Sequence, residues 1–177
     1  MRVTSLRSDN VAGLLDRYGE ATRYFELWRD RAARLGVPAS GSPTITLSGG
    51  LVYPAADLHR GVVIVDDHFA HLTIERGQQS FGDEFSRFDD AAKLLLKSEG
   101  QKVRSYLKLP RKYLDWRAMG VHPAVSVEEE MYAAVLTLRD DPSVWCKVPV
   151  SEQAATSQIM MMSMAELDAQ LIEGIER

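Results

Sequence analysis

Two histidines, His68 and His71, are the side chains whose types and spacing first suggest chemistry. Imidazole rings are common ligands for zinc and other transition metals. The residues around them, from Phe69 to Glu75, predict a β-strand, in which side chains three apart point to opposite faces. The two rings therefore cannot hold one ion together, and no third ligand has a suggestive spacing. We expect no metal site.

The single cysteine, Cys146, is the candidate nucleophile, with His122 or His59 as its general base. It stands between Trp145 and Lys147 in a predicted strand, a position more typical of a small core residue. The sequence contains no glycine-flanked serine of a nucleophile elbow, no Walker motif and no G-x-G-x-x-G motif. We therefore expect no enzymatic activity, no bound cofactor and no small-molecule substrate.

Charge is divided unevenly along the chain. The segment from Lys97 to Arg117 carries seven basic residues and two acids, a net charge of +5. Because the whole chain has a net charge of −4, the remainder carries −9. This division favours docking to an acidic partner surface. Tyr106, Tyr113 and Trp116, which lie among the basic residues, are of types enriched at interface hot spots. A solvated basic helix face with these aromatic side chains beneath it is an equally open alternative.

Helices are predicted at the start, the middle and the end of the chain, from apolar residues at three- and four-residue spacing. Gly36 is the predicted end of the N-terminal helices, and Ser86 the predicted cap of the central helix, which Gly100 would stop. Ser163 and Glu166 form a capping box that opens the last helix. The predicted helices are residues 11–18, 21–35, 87–99 and the segment after 163, with a separate turn at 103–109 and a loop at 111–123.

Strands are predicted where apolar residues alternate or run between turn signals. They are residues 44–48, 51–53, 61–65, 69–75, 132–138, 144–148 and 157–162, with a hairpin turn at Gly49-Gly50. The short links between the first strands require an antiparallel meander. The sequence therefore predicts one α+β domain over residues 1–177, an antiparallel sheet flanked by N-terminal, central and C-terminal helices. The methionine cluster Met160–Met164 would fill the core rather than form an interface.

Composition limits the class of protein and its compartment. Apolar residues make up 45% of the chain, enough for a core without disulfides, and one cysteine excludes an internal disulfide. The start of the chain has no apolar stretch typical of a signal peptide, and no segment approaches the length of a membrane span. We therefore expect a soluble protein of the reducing cytoplasm with no membrane partner. The net charge argues against a dedicated nucleic-acid binder.

Short motifs give the chain a family resemblance. Phe25-Glu26-Leu27-Trp28 lies in the predicted N-terminal helix, and the meander ends in Glu75-Arg76-Gly77. A helix running to Gly100 follows, with a basic residue at Arg104. In this pattern the chain resembles an immunity protein family of actinobacterial polymorphic toxins, in particular the immunity factors of tuberculosis necrotizing toxin, an NAD-glycohydrolase. The resemblance is clearest from Leu6 to Pro110.

The resemblance implies a one-to-one inhibitor that covers the active site of a toxin catalytic domain inside the producing cell. Residues 98–102 would form a loop that enters the cleft, because Gly100 permits close backbone approach. Gln101 and Lys102 would supply donors, while Arg104 and Lys108 would anchor the rim. The expected toxin-binding residues are Glu99, Gly100, Gln101, Lys102, Arg104, Tyr106, Lys108 and Arg111.

Two other functions fit the sequence. A secretion chaperone or adaptor would hold an apolar partner segment with the methionine cluster and an exposed sheet edge. A nucleic-acid-binding module would use the basic residues from Lys97 to Arg117 together with the aromatic side chains among them. The first of these predicts binding to an extended or helical segment, and the second predicts steeply salt-dependent binding.

Overall fold

The structure, a computed structural model, describes residues 8–38, 40–42, 44–45, 50–54 and 58–175. Within these residues lie five α-helices, one 3-10 turn and eight β-strands. The helices are α1 Ser8–Arg34, α2 Phe88–Tyr106, α3 Lys112–Ala118, α4 Gln153–Met160 and α5 Met164–Ile172, and the 3-10 turn is Val150–Glu152. The strands are β1 Thr44–Ile45, β2 Leu51–Tyr53, β3 Leu58–Val65, β4 His68–Glu75, β5 Gln78–Phe85, β6 Val125–Glu129, β7 Ala133–Leu138 and β8 Trp145–Pro149.

The described strands form a single antiparallel sheet in the order β1-β2-β3-β4-β5-β8-β7-β6. The helices pack on one face of it. Side chains that the strand registers place on that face, including Val62, Phe85, Leu136 and Cys146, are buried in one hydrophobic cluster with residues of α1, α2, α4 and α5. The structure confirms the predicted α+β class, an antiparallel sheet flanked by N-terminal, central and C-terminal helices.

The N-terminal segment forms one helix rather than the two that the sequence predicts. Helix α1 continues without interruption through Gly19, and its buried face includes Tyr24, Phe25 and Trp28. Gly36 follows the helix with φ of +67°, and the amide of the next residue donates to the carbonyl of Ala32, which confirms the predicted end. The predicted core side chains at positions 11, 14 and 15 lie outside the described side chains.

A polar contact ties the first helix to the last. The indole Nε1–H of Trp28 donates to Oδ1 of Asp168 in α5 over 2.7 Å, and Arg31 pairs with the same carboxylate. The Trp28 side chain is buried, so its indole N–H needs an acceptor inside the protein. The Phe25-Glu26-Leu27-Trp28 motif thus serves the fold, since it helps to dock α1 against α5.

Several predicted elements are wrong in extent or type. The segment 157–162 was expected as a strand, but residues 157–160 belong to helix α4, where Ile159 and Met160 are buried in the core, and residues 161–162 follow the helix. Residues 112–118 were expected as loop but form α3, and β5 and β6 were not expected at all. Of the predicted strand 44–48, Thr44 and Ile45 form β1, and residues 46–49 lie outside the described part of the chain.

The methionine cluster lies mostly in the core, as predicted. Met160 and Met164 are buried, and Met162 packs against the core, whereas Met161 is exposed. The capping box is also confirmed: the Ser163 hydroxyl accepts from the backbone N–H of Glu166, whose carboxylate accepts from the backbone N–H of Ser163.

Candidate protein-binding surface on α2 and α3

Helix α2 extends well beyond its predicted end. It continues through Gly100 to Tyr106, so residues 98–102 are helical and not the loop expected from the family resemblance. Its predicted cap is also wrong, because the Ser86 hydroxyl is bound to the backbone of Trp145 in β8 instead. The candidate residues 99–106 therefore lie in a continuous helix, and Lys108 and Arg111 lie in the segment that follows it.

Gly100 lies at a close helix–helix contact rather than at the surface. It is buried, and a Cβ atom built on it would lie 2.8 Å from Cδ1 of Leu171 in α5. The glycine allows α2 and α5 to approach each other, which is a structural role. The expectation that Gly100 contacts a partner cleft does not fit this position.

Arg104 is also committed to the fold. Its guanidinium group donates to the backbone carbonyls of Leu171 and Glu173, over 2.9 and 2.7 Å, and to that of Pro110 over 2.8 Å. With 3% of its surface exposed, the residue cannot anchor the rim of an interface. It satisfies carbonyl groups at the end of α5 that the helix itself leaves without donors.

Gln101 bridges α2 and α3. In the amide orientation that satisfies its neighbours, its oxygen accepts from the backbone N–H groups of Lys112 and Tyr113, over 3.1 and 2.9 Å. These N–H groups belong to the first turn of α3, where a helix leaves its donors unpaired. Gln101 therefore fixes the start of α3. No sequence pattern predicts this contact, because Gln101 and Lys112 are eleven residues apart and lie in different helices.

Glu99 faces the N-terminal part of the protein. Its carboxylate accepts from the Ser40 hydroxyl over 3.4 Å. Burial, and secondarily the charge of Glu99, raise the pKa of Tyr53 well above its usual range. Glu99 thus lies on the side of α2 that faces Ser40 and Tyr53 of β2.

The other four candidate residues are accessible. Lys102, Tyr106, Lys108 and Arg111 are all exposed, and the described part of the chain contains no ion-pair partner for the three cations. Lys108 adopts a left-handed conformation with φ of +58°, in the turn that ends α2. We call these four residues the α2–α3 basic surface.

A groove adjoins this surface. It has a volume of about 320 Å³ and is lined by residues of α2, the start of α3 and the 3-10 turn. Lys102 and Arg111 contribute cations to it, while Lys97 is neutralised by Glu152 over 2.9 Å. The lining residues are Lys97, Ser98, Gln101, Lys102, Ser105, Arg111, Tyr113 and Glu152. The groove therefore suits an acidic side chain.

Two exposed apolar residues lie close to the basic surface in the sequence and were not among the predicted site residues. Leu114 and Met119, in and just after α3, expose 54% and 65% of their surface. Their exposure could not be predicted while residues 111–123 were expected as loop. In contrast, Trp116 is buried and its indole N–H donates to Gln170 over 2.6 Å, and the Tyr113 hydroxyl donates to the carbonyl of Ser151.

The residues that first suggested chemistry are built into the sheet. The two ring nitrogens of His71 face the Asp83 carboxylate and the carbonyl of Ala91, over 3.2 and 2.8 Å. Cys146 is buried beside Met160, and burial, together with the charges of Asp90 and Asp83, raises the pKa of its thiol. A buried thiol with a raised pKa supplies little thiolate, so it is a poor nucleophile.

The described residues contain no cluster of three or more His, Cys, Asp or Glu residues that could hold a metal ion. Among the helices of the described chain, none is both long and apolar enough to cross a membrane.

One solved structure resembles this fold. It is Rv3902c from M. tuberculosis, which matches with a TM-score of 0.63 over 86% of this chain and 87% of that chain. The sequences are 10% identical across the match, so the similarity shows a shared fold alone. No protein-family model and no curated protein matches the sequence.

Proposed function

We propose that this protein is an immunity protein of the cytoplasm that binds one folded toxin catalytic domain, an NAD-glycohydrolase, and blocks its active site. The observation that carries the proposal is the α2–α3 basic surface, three exposed cations without ion-pair partners among the described residues, together with the exposed ring of Tyr106 on the same helix as Lys102. The protein itself would have no catalytic activity and no cofactor.

The surface has the properties of a docking site for an acidic partner. Unpaired cations attract an acidic surface at long range and pair with carboxylates on contact. Tyr106, one helical turn after Lys102 in α2, supplies a large amphipathic ring beside these charges, a common composition for an interface hot spot. Because Gln101 and Arg104 fix the backbone beneath the surface, its side chains lose little further backbone freedom on binding.

The mode of inhibition differs from the one that the sequence suggested. Since residues 98–102 are helical and residues 98–101 are buried or half-buried, no loop from this segment can enter a cleft. We propose instead that Tyr106 and the turn at Lys108 cover the mouth of the toxin's active site, with Lys102 and Arg111 paired to carboxylates beside it.

Titration of a toxin's activity tests the proposal directly. The catalytic domain of tuberculosis necrotizing toxin is assayed for NAD hydrolysis while the purified protein is added, and complete inhibition at one equivalent is expected. Lys102→Glu combined with Arg111→Glu should weaken inhibition by about 100-fold, because two attractive charge contacts become repulsive. Arg60→Glu combined with Arg76→Glu makes the same change in net charge at two exposed residues in and just after the β3–β4 hairpin and should leave inhibition unchanged.

Other outcomes would point to other functions. Absence of inhibition and of a complex on a sizing column contradicts this pairing. Binding to nonspecific duplex DNA that falls steeply with salt would favour the nucleic-acid module. The structure offers that alternative less support, because Trp116 is buried and the Tyr113 hydroxyl is engaged, which leaves Tyr106 as the freely exposed ring of the three.

A further inference from the structure

Strand β5 separates from its neighbour β8 partway along its length. The two strands pair at Glu84 with Lys147 and at Phe85 with Cys146, and the pairing then stops. On the other side, β5 remains paired with β4 as far as its first residue, Gln78. The outer edge of residues 78–83 therefore has no strand partner among the described residues.

A bulge in β5 and the end of β8 at Pro149 both accompany the separation. Between the pairs Ala70–Glu84 and Leu72–Phe81, the single residue His71 of β4 lies opposite both Gly82 and Asp83 of β5. An extra residue of this kind bends the strand and increases its twist. Beyond the bulge, β5 is no longer paired with β8, and an open notch lies between the two strands.

The unpaired edge lacks two of the features that usually protect such edges. Natural edge strands often carry lysine or proline, which discourage pairing with another chain. Residues 78–82 are Gln, Gln, Ser, Phe and Gly, all of them exposed, and the Phe81 side chain exposes 46% of its surface. The edge therefore presents backbone hydrogen-bonding groups together with an apolar side chain.

The far side of the notch is formed by β8 and by the hairpin between β6 and β7. A cleft of about 240 Å³ lies between the strands, with Gly82 on one wall and Tyr132 and Pro149 on the other. Met131 and Tyr132, at the tip of the hairpin, expose 84% and 80% of their surfaces. These side chains could contact alternate residues of an extended segment lying along β5.

The charge of the notch favours a basic occupant. Asp83, Glu84 and Glu130 lie in or beside it, and Lys147, which pairs with Glu130 over 2.7 Å, is the lysine that faces them. Three carboxylates against one lysine leave an excess of negative charge. His71, 3.2 Å from Asp83, is the other titratable group that contacts these carboxylates.

We propose that this notch binds an extended basic segment of a partner polypeptide, which adds to β5 as a further strand. Backbone hydrogen bonds along residues 78–83 would supply affinity, and alternate side chains would contact the acidic and the apolar walls. The site lies on the sheet and uses none of the residues of the α2–α3 basic surface.

A synthetic hexapeptide of alternating lysine and valine tests the proposal on the isotope-labelled protein. Backbone amide shifts are expected in residues 78–84 and in the hairpin tip. The same peptide with alternate backbone nitrogens methylated should bind at least about tenfold more weakly, since it lacks strand donors. A hexapeptide of alternating glutamate and valine should also bind at least about tenfold more weakly.

Two variants complete the test. Phe81→Lys places a lysine on the exposed edge and should abolish the peptide-induced shifts, while the remaining amide spectrum shows that the protein is folded. Lys102→Glu, on the α2–α3 basic surface, should leave peptide binding unchanged whether or not the protein inhibits a toxin. Four outcomes would each overturn the proposal: no binding of the lysine–valine peptide, equal binding of the lysine–valine and glutamate–valine peptides, amide shifts at another edge of the sheet, or self-association of the protein through β5.

Discussion

Gly100 in α2 packs directly against the side chain of Leu171 in α5. A Cβ atom on Gly100 would lie 2.8 Å from Cδ1 and 2.9 Å from Cδ2 of the leucine. Leu171 is fully buried, so its side chain has little space into which it can move. Replacing Gly100 with alanine should therefore destabilise the protein, although alanine normally favours a helix by about 1 kcal/mol over glycine. Overpacking costs about 1–3 kcal/mol, and we expect a net loss of about 1 kcal/mol in urea unfolding.

Gly19 provides the matched control. It also lies inside a helix, α1, but a Cβ atom there would meet nothing within 4 Å. Gly19→Ala should raise the free energy of unfolding by up to about 1 kcal/mol. When Gly100→Ala is combined with Leu171→Ala, the loss of unfolding free energy should be smaller than the sum of the two single losses, because alanine at position 171 leaves room for the new methyl group. A stabilising effect of Gly100→Ala alone would contradict the close contact.

Arg104 should contribute more to stability than any exposed cation near it. Arg104→Met keeps the aliphatic bulk but removes the donors to the carbonyls of Leu171, Glu173 and Pro110. The bond to Leu171 is buried and the other two are partly buried. Since a buried acceptor left unpaired costs about 1–3 kcal/mol and a partly exposed one can bind water instead, we expect a loss of about 2 kcal/mol in urea unfolding. Lys102→Met, on an exposed side chain of the same helix, should change stability by less than about 0.5 kcal/mol.

Local patterns were sufficient to predict the parts of the fold that depend on short-range contacts. The capping box at Ser163 and Glu166 and the end of α1 at Gly36 involve residues only a few positions apart. The buried position of Cys146 likewise follows from its place in a strand. The α+β class and most of the helices were predicted from signals of similarly short range, the spacing of apolar residues and the short links between the first strands.

The candidate site was harder to predict because its geometry depends on contacts between distant segments. Gly100 looks like a helix stop by local rules, but α2 continues because α5 packs against that glycine. Arg104 and Gln101 look like free donors, yet each satisfies backbone groups of another element. Strand β5 was missed because residues 78–82 are all exposed, so it lacks the alternation of buried apolar and exposed polar residues by which a strand is recognised.

Cys146 should be inert in the folded protein. Its thiol is buried, and its raised pKa keeps it protonated at neutral pH. Reaction with a thiol reagent such as DTNB should therefore require opening of the structure, and should be at least about 1000-fold slower than in urea-unfolded protein. Rapid labelling under native conditions would contradict the buried position. Cys146→Ala should retain any inhibition of a toxin, since the thiol takes no part in binding.

The capping box at α5 should make stability depend on pH in the acid range. The backbone N–H and the hydroxyl of Ser163 donate to the Glu166 carboxylate, over 2.7 and 2.9 Å, and thereby lower the pKa of Glu166. A carboxyl whose pKa is lowered by folding stabilises the protein above its unfolded pKa, and this contribution is lost as the pH falls through the folded value. The urea midpoint of the wild type should exceed that of Glu166→Gln at pH 7, and the difference should shrink toward low pH. Ser163→Ala should reduce the difference, because one donor is removed, whereas a difference independent of pH would contradict this account.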